Sequence, residues 1–586
     1  MERNYDVIIV GGGATGTGTL RDLTRRGLKV ALVEQGDLAS GTSGRFHGLL
    51  HSGGRYAVKD PESARECMEE NTTLRRIAPH AIDVQEGLFV QVEGDDPAFA
   101  DRWAQGCAAS GIPVREIGVA EALRRDPCLH PRTTRVFTIP DGSVDSWRLT
   151  QANVRDAQAH GANVLLWHRL EAIRVENGRV TGVELEDLQH KARVRLGCRM
   201  LVNATGAWAG KVGRLADIDI PMALDRGTMI VFDHYYSPRV VNRLRLPGDG
   251  DILVPVGSVS ILGTSAVPVQ DPEERTTDAS EVQRLIGIGA EMIPALASAR
   301  VFRTFTGIRP LYRPPQSSGG QRDISRGLVV LDHEETDGLA GMVTIVGGKL
   351  TTYRLMAEKV SDVVATRLGV TRPCTTAVEP LLQSAGEYAP LLAPGAAEAA
   401  GATPEAMNIR RARRLFSYLP AAEAAELVRR GSGPLLCECE GVDEAELVAA
   451  GKAAGHLDLA DVRRRTRLGM GPCQGTLCAW RAGGVLHRAG LASAERANKA
   501  LVTFLDGRWQ GVRHSPTLQQ LRAAEVTRGL YLGNLNIPSL PGISRASAPF
   551  EAAAAESQVA VAEVAATEAQ AAGIAAAEPV LQEVHR

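Results

Sequence analysis

No stretch of this sequence is apolar for the 18 or so residues that a membrane-crossing helix needs. Its longest apolar runs, such as Gly327-Leu-Val-Val-Leu331 and Met342-Val-Thr-Ile-Val346, are the length of a strand. Excess charge of one sign is also missing: 66 Lys and Arg against 68 Asp and Glu leave a formal −2. There is therefore no electrostatic case for nucleic acid as a partner. No internal repeat is visible, so the length does not come from stacked copies of one motif. A strand begins within about five residues of the N-terminus and no apolar signal region precedes it, so an intracellular, cytoplasmic chain is expected. Cysteine pairing is sparse. Of nine cysteines, Cys67, Cys107, Cys128, Cys198 and Cys374 are scattered without shared spacing, as expected for small apolar residues in a reducing compartment.

What is present is ordinary in bulk. With 44% apolar and 23% charged residues, the 586-residue chain reads as soluble and globular, and too long for one core. Residues 1–370 read as a large α/β unit with a second sheet interleaved. Residues 371–430 read as a linker with helical content, including the basic run Arg410-Arg-Ala-Arg-Arg414. Residues 431–490 hold the four remaining cysteines, residues 491–545 read as an ordered C-terminal extension, and the Ala- and Glu-rich residues 546–586 as a disordered tail.

The N-terminal motif carries the first chemistry. Val7-Ile-Ile-Val10 is a β-branched apolar run suited to a buried parallel strand. Gly11 allows a tight turn, Gly13 lets backbone approach a pyrophosphate, and Gly16 allows close packing of helix on strand. Val30-Ala-Leu-Val33 is the second strand, and Glu34, 18 residues after Gly16, is placed to bond a ribose hydroxyl. The pattern implies a dinucleotide without a 2′-phosphate. By itself it does not separate FAD from NAD.

Longer stretches carry a resemblance. Ile9-Val-Gly-Gly-Gly-Ala-Thr-Gly-Thr-Gly18 with Asp22 and Arg26-Gly27 resembles the first signature of FAD-dependent glycerol-3-phosphate dehydrogenases. The one departure is Leu20, where that signature prefers alanine. Gly347-Gly-Lys-Leu-Thr-Thr-Tyr-Arg354 with Ala357 is similar to the second signature. Thr42-Ser-Gly-Arg-Phe-His-Gly-Leu-Leu-His-Ser-Gly-Gly-Arg-Tyr56 resembles the family's flavin and substrate loop, and Thr306-Gly-Ile-Arg-Pro-Leu311 its arginine-bearing strand. The C-terminal cysteines resemble the bacterioferritin-associated-ferredoxin-like module that ends the A subunit of the anaerobic members. The resemblance covers about residues 1–545.

The resemblance implies an α/β FAD-binding, Rossmann-like domain of the D-amino-acid-oxidase/glutathione-reductase type, with an α+β substrate sheet and a small helical C-terminal cluster-binding domain. It implies oxidation of sn-glycerol 3-phosphate to dihydroxyacetone phosphate by FAD. Electrons would leave through companion electron-transfer and membrane-anchor subunits to a membrane quinone, with the chain peripheral on the inner face of the cell membrane through those partners. Thr42, Ser43, Gly347, Gly348, Leu350 and Thr351 would hold the flavin, and Thr205-Gly206, after an apolar strand, would sit at its adenine side. Arg55, Arg309 and Arg326 match substrate-binding positions and Lys349 a further cationic one; guanidinium forks suit phosphate. Arg309 could also stabilise a developing alkoxide. His51 and His234 are both candidates for the base because imidazole titrates near neutrality. Tyr56 and Thr264 would line the pocket, with core packing an equal alternative.

The second chemistry is the set Cys437-Glu-Cys439 and, after 33 intervening residues, Cys473-Gln-Gly-Thr-Leu-Cys478. Four thiolates are the usual ligands of a [2Fe–2S] cluster; a structural zinc is the alternative, less suited to the C-x-C spacing. Arg463-Arg-Arg465 and Arg467, just before the second pair, are expected on a solvated helix face. Two other functions stay open at this point. One is an FAD-dependent amine or amino-acid dehydrogenase, the other a catalytically silent protein of electron transfer.

Overall fold

The opening strand β1 (Arg3–Val10) lies inside an eight-stranded sheet, with Val7, Ile8 and Ile9 wholly buried. Burial on both faces is what favours a continuous β-branched run there, each such side chain contributing about 1.5–3 kcal/mol. The computed structural model describes residues 3–84, 86–314, 327–393, 396, 403–455, 458–512, 522, 526 and 529–531. β2 (Val30–Glu34) pairs in parallel with one edge of β1, and Ala192–Asn203 with the other. Asn163–Leu166 continues the parallel order beyond β2, and Met342–Gly347 continues it beyond Ala192–Asn203. Helix α1 (Ala14–Arg25) and helix Tyr353–Leu368 cover one face through Leu20, Leu23, Val360 and Val364. The signature residues have structural roles here. Arg26 pairs with Asp22 at 3.0 Å and Asp362 at 2.7 Å, tying α1 to the later helix. Arg354 binds Glu70 at 2.6 Å.

The interleaved sheet has nine strands. Its longest pairing joins Met222–Phe232 to Val301–Tyr312, antiparallel from Met222 opposite Tyr312 to Phe232 opposite Val301. This register sets Arg309 opposite Asp225 at the end nearer the first sheet's strand ends. The expected α/β class with a second sheet is the observed one.

The C-terminal part is helical around one short hairpin, Leu435–Cys437 with Val442–Asp443. Its core joins Leu436, Val442, Leu447, Val462 and Leu486 to Leu501 and Phe504 of helix Ala494–Val512. The cysteine module therefore runs past residue 490. Helix Pro404–Tyr418, in the stretch read as a linker, also packs on it: buried Arg414 binds buried Glu446 at 2.6 and 2.9 Å. Residues 546–586 lie outside the described residues.

Arg463-Arg-Arg465 and Arg467 are not on a solvated face. The helix that carries the first three, Leu459–Thr466, forms the seam with the flavin domain. Arg465 grips Asp37 with two bonds, 2.8 and 3.0 Å, and both residues are buried. Arg467 binds Glu440 at 2.9 Å and approaches Asp145 at 3.6 Å. The helical sequence pattern suggested exposure because the acid that compensates Arg465 lies 428 residues away in the chain.

One buried histidine makes stability depend on pH. Burial, with Arg148, Arg413 and Arg155 near, holds the His80 imidazole well below its ordinary range. Below about pH 6.5 the unfolded chain binds a proton that the folded chain refuses, so this contribution is present above that pH and lost as pH falls through it. The unfolding free energy from urea titration is expected to drop between pH 7.5 and 5.5, by up to about 1.4 kcal/mol per pH unit once below about 6.5. His80→Gln should flatten that part of the slope; identical slopes in the two proteins would reject the assignment.

Candidate functional site

A cavity of about 810 Å³ opens at the ends of the parallel strands, where α/β sheets place their ligands. Gly11 makes the turn at φ +113°, and a Cβ there would lie 2.6 Å from the Ala204 carbonyl oxygen. At Gly16 a Cβ would collide with the Gly11 carbonyl, so this glycine serves helix–strand packing and does not line the cavity. Gly13 does line it, and a Cβ there would meet only Ser43 Oγ, at 3.1 Å. The Ala14 amide donates to that Ser43 oxygen at 2.9 Å. Glu34, at the end of β2, accepts from the Gly12 and Gly36 amides at 2.7 and 2.8 Å. An open glycine cradle, a helix N-terminus and a fixed carboxylate fit the pyrophosphate and ribose of FAD. Thr42 (donating to the Ile308 carbonyl at 2.6 Å), Thr205, Gly206, Gly347, Gly348, Leu350 and Thr351 also line the cavity. The last four form the approach to helix Tyr353–Leu368, whose first turn faces the cavity through Tyr353 and Met356.

Arg309, Lys349, His51 and Tyr56 all line the same cavity. Arg309 is set by its partners. Asp225, buried opposite it, accepts at 2.7 Å, the Ser265 carbonyl at 2.9 Å, and Thr264 Oγ1 also bonds the guanidinium. Thr264 thus positions the arginine and is not itself on the cavity wall. Lys349 Nζ stands 4.7 Å above the Tyr56 ring, a cation–π contact. The His51 amide donates to Thr351 Oγ1 at 3.0 Å, joining flavin loop to second signature, and its ring lies 5.6 Å from that of Tyr56.

Two expected residues are not brought there. Arg55 points away, toward the Gly248 carbonyl at 3.4 Å and Asp251 at 3.6 Å. His234 sits beyond the far end of Met222–Phe232 from Asp225, 71% exposed and beside Asp233 at 2.8 Å. The antiparallel register carries it away from Arg309, so it is not a base for this cavity. Arg326 lies outside the described residues. In exchange the structure adds His47 and Arg275 to the wall. His47 Nδ1 accepts from the Leu49 amide at 3.1 Å, and its ring lies 6.3 Å from that of His51. Its position four residues before His51 in the same loop was the available signal.

The four cysteines converge at one end of the C-terminal module. Cys437 ends a hairpin strand and Cys478 opens helix Cys478–Arg488. The thiols meet in pairs: Cys437 with Cys478, Cys478 with Cys473, and Cys473 with Cys439. The Cys478 thiol bond, helped by the Leu477 and Gly475 amides, holds the Cys473 thiol down to about 5. The Gly469 amide reaches Cys437 and the Cys473 amide reaches Cys439, so the loop between residues 469 and 473 supplies backbone bonds to sulfur. Among the described residues no three such ligands surround one metal point. Four thiols gathered in this way supply the ligand count of two irons that take two thiolates each.

Residues 6–354 match the family model of FAD dependent oxidoreductases, and residues 435–488 that of BFD-like [2Fe-2S] binding domains. The chain is 40% identical over 545 residues to the A subunit of the anaerobic glycerol-3-phosphate dehydrogenase of Escherichia coli K12, covering 91% of this chain and 97% of that one. It is also 40% identical over 566 residues to the corresponding A1 subunit of Haloferax volcanii, covering 94% of each. The structure superposes on the glycerol-3-phosphate dehydrogenase of Bacillus halodurans with a TM-score of 0.61 at 20% identity, over 87% of this chain and 95% of that one, a likeness of fold.

Proposed function

The chain belongs to the FAD-dependent oxidoreductases, in the family of anaerobic glycerol-3-phosphate dehydrogenase A subunits, and from that premise we propose how its residues act on glycerol 3-phosphate. It is an FAD-dependent glycerol-3-phosphate dehydrogenase with a [2Fe–2S] module. The observation that carries the site assignment is that Arg309 and Lys349 both line the dinucleotide cavity. Two fixed cations there bind the phosphate dianion of sn-glycerol 3-phosphate. Asp225 and the Ser265 carbonyl aim the Arg309 fork, while the Tyr56 ring steadies Lys349. A ring nitrogen of His51 takes the proton from the C2 hydroxyl, and dihydroxyacetone phosphate is the product. Arg309 also offsets negative charge as it grows on that oxygen. When bound, FAD accepts the C2 hydride as a two-electron unit and the cluster carries electrons onward singly.

In this family the chain works beside other subunits, and the four-cysteine face is where its electrons leave for them. Their destination in this reading is a membrane quinone, reached through a partner. No described helix is long and apolar enough to cross a membrane.

The test is an anaerobic visible titration of the purified chain with glycerol 3-phosphate, alongside iron analysis. Bleaching of the flavin bands near one equivalent, with iron present, is the expected result. A yellow protein that ignores glycerol 3-phosphate but bleaches with an amino acid would overturn the substrate assignment.

A further inference from the structure

Behind the flavin loop lies a second cavity, of about 110 Å³, at the seam between the two parts of the chain. Arg45 and Trp147 reach it from the flavin domain, Arg303 from strand Val301–Tyr312, and Arg463 and Arg467 from the cysteine module. Neither Arg309 nor Lys349 lines it.

Its charges do not balance. Arg467 is paired with Glu440. Asp145 is the one carboxylate on the wall, and it is already engaged: it caps helix Ser146–Ala159 and pairs with Arg148 at 3.1 Å. Arg303 and Arg463 have no carboxylate partner among the described residues. Their guanidinium carbons lie over the Phe305 and Trp147 rings at 5.1 and 5.8 Å. Stacking of this kind holds the plane and leaves the N–H edges available. The Nε atoms of both, and Nη2 of Arg467, are buried without a hydrogen-bond partner. Burial, together with Arg303, Arg464 and Arg45 nearby, depresses Arg463 far below its ordinary range, and burial brings Arg303 down to about 10. Gathering unpaired cations in a low dielectric is costly unless a counter-charge joins them.

We propose that this cavity binds a small inorganic oxyanion of the phosphate class, gripped by Arg303 and Arg463 and joining the flavin domain to the cysteine module. Guanidinium edges match tetrahedral oxyanions through paired N–H bonds. The size is suitable: a cavity of about 150 Å³ holds the six carbons of benzene, so 110 Å³ suits the five atoms of phosphate. Because the ligands come from both sides of the seam, the anion tightens it.

The test uses the full-length protein carrying FAD and iron. Inorganic phosphate is titrated calorimetrically and by thermal unfolding, against chloride at equal ionic strength, in wild type and in the Arg303→Gln, Arg463→Gln double variant. Wild type is expected to unfold several degrees later in phosphate, and the double variant to bind at least ten times more weakly. In chloride the variant should unfold no earlier than wild type, since a repulsion has been removed. If the variant does not fold, wild type alone decides: phosphate, not chloride, should protect Arg463 from phenylglyoxal, read by peptide mass. No phosphate-specific shift in wild type, an equal shift in the double variant, or unprotected Arg463 would each overturn the proposal.

Discussion

Arg309→Gln is expected to leave a protein that keeps its FAD colour but is reduced by glycerol 3-phosphate about 10³-fold more slowly. The size follows from what the side chain is asked to do. It contributes one half of a dianion clamp and stabilises the oxygen that gains charge at C2. The substitution also strands Asp225, which is buried and loses its 2.7 Å partner. An unpaired carboxylate facing an incoming phosphate adds repulsion to the loss of attraction. The Asp225→Asn, Arg309→Gln double variant separates these effects: it should recover thermal stability while the rate stays low. A loss confined to KM would make Arg309 a binding residue only; an equal fall in kcat and kcat/KM would place it at the C2 oxygen. Normal bleaching by substrate in the single variant would remove Arg309 from the site altogether.

Cys473→Ser should do the opposite. Substrate should still bleach the flavin once, at the wild-type rate, but sustained delivery to the natural acceptor should fall to background and iron per flavin should drop. Cys473 is chosen because it touches both Cys478 and Cys439, so its loss reaches both ligand pairs. It sits in a loop and not in the module's apolar core of Leu447, Val462 and Leu486, so the fold should survive. Unchanged iron content would reject the ligand set. A simultaneous loss of single-turnover bleaching would mean that the two redox sites are not separable.

These two sites were legible in the sequence to different depths. The dinucleotide end was readable because each part is local: the glycines, β1, α1, β2 and Glu34 follow one another within about 35 residues. The strand at Met342–Gly347 and the helix after it were readable for the same reason. The cysteines announced themselves by spacing. The substrate end was half readable. Arg309 and Lys349 sit in marked stretches, but what aims Arg309 is Asp225, set opposite it by the pairing of Met222–Phe232 with Val301–Tyr312, and no local period encodes that register. His234 is the same case: its segment is recognisable, but that register sets how far along the strand it stands from Asp225. Buried arginines were the least legible. Arg414 and Arg465 look like solvent-facing residues until Glu446 and Asp37 are seen beside them.

The grip of Arg465 on Asp37 bears on how electrons travel. Carriers that are tethered by a hinge deliver at the pace of their swing. Here the module is seated on the flavin domain through Arg465 and Asp37, both buried, with Arg467 approaching Asp145 beside them, so lifting it away would mean rehydrating that seam. Salt would loosen it little, because buried pairs are poorly screened. A module seated by this pair is expected to deliver electrons across a constant gap, and not by diffusion of a mobile arm.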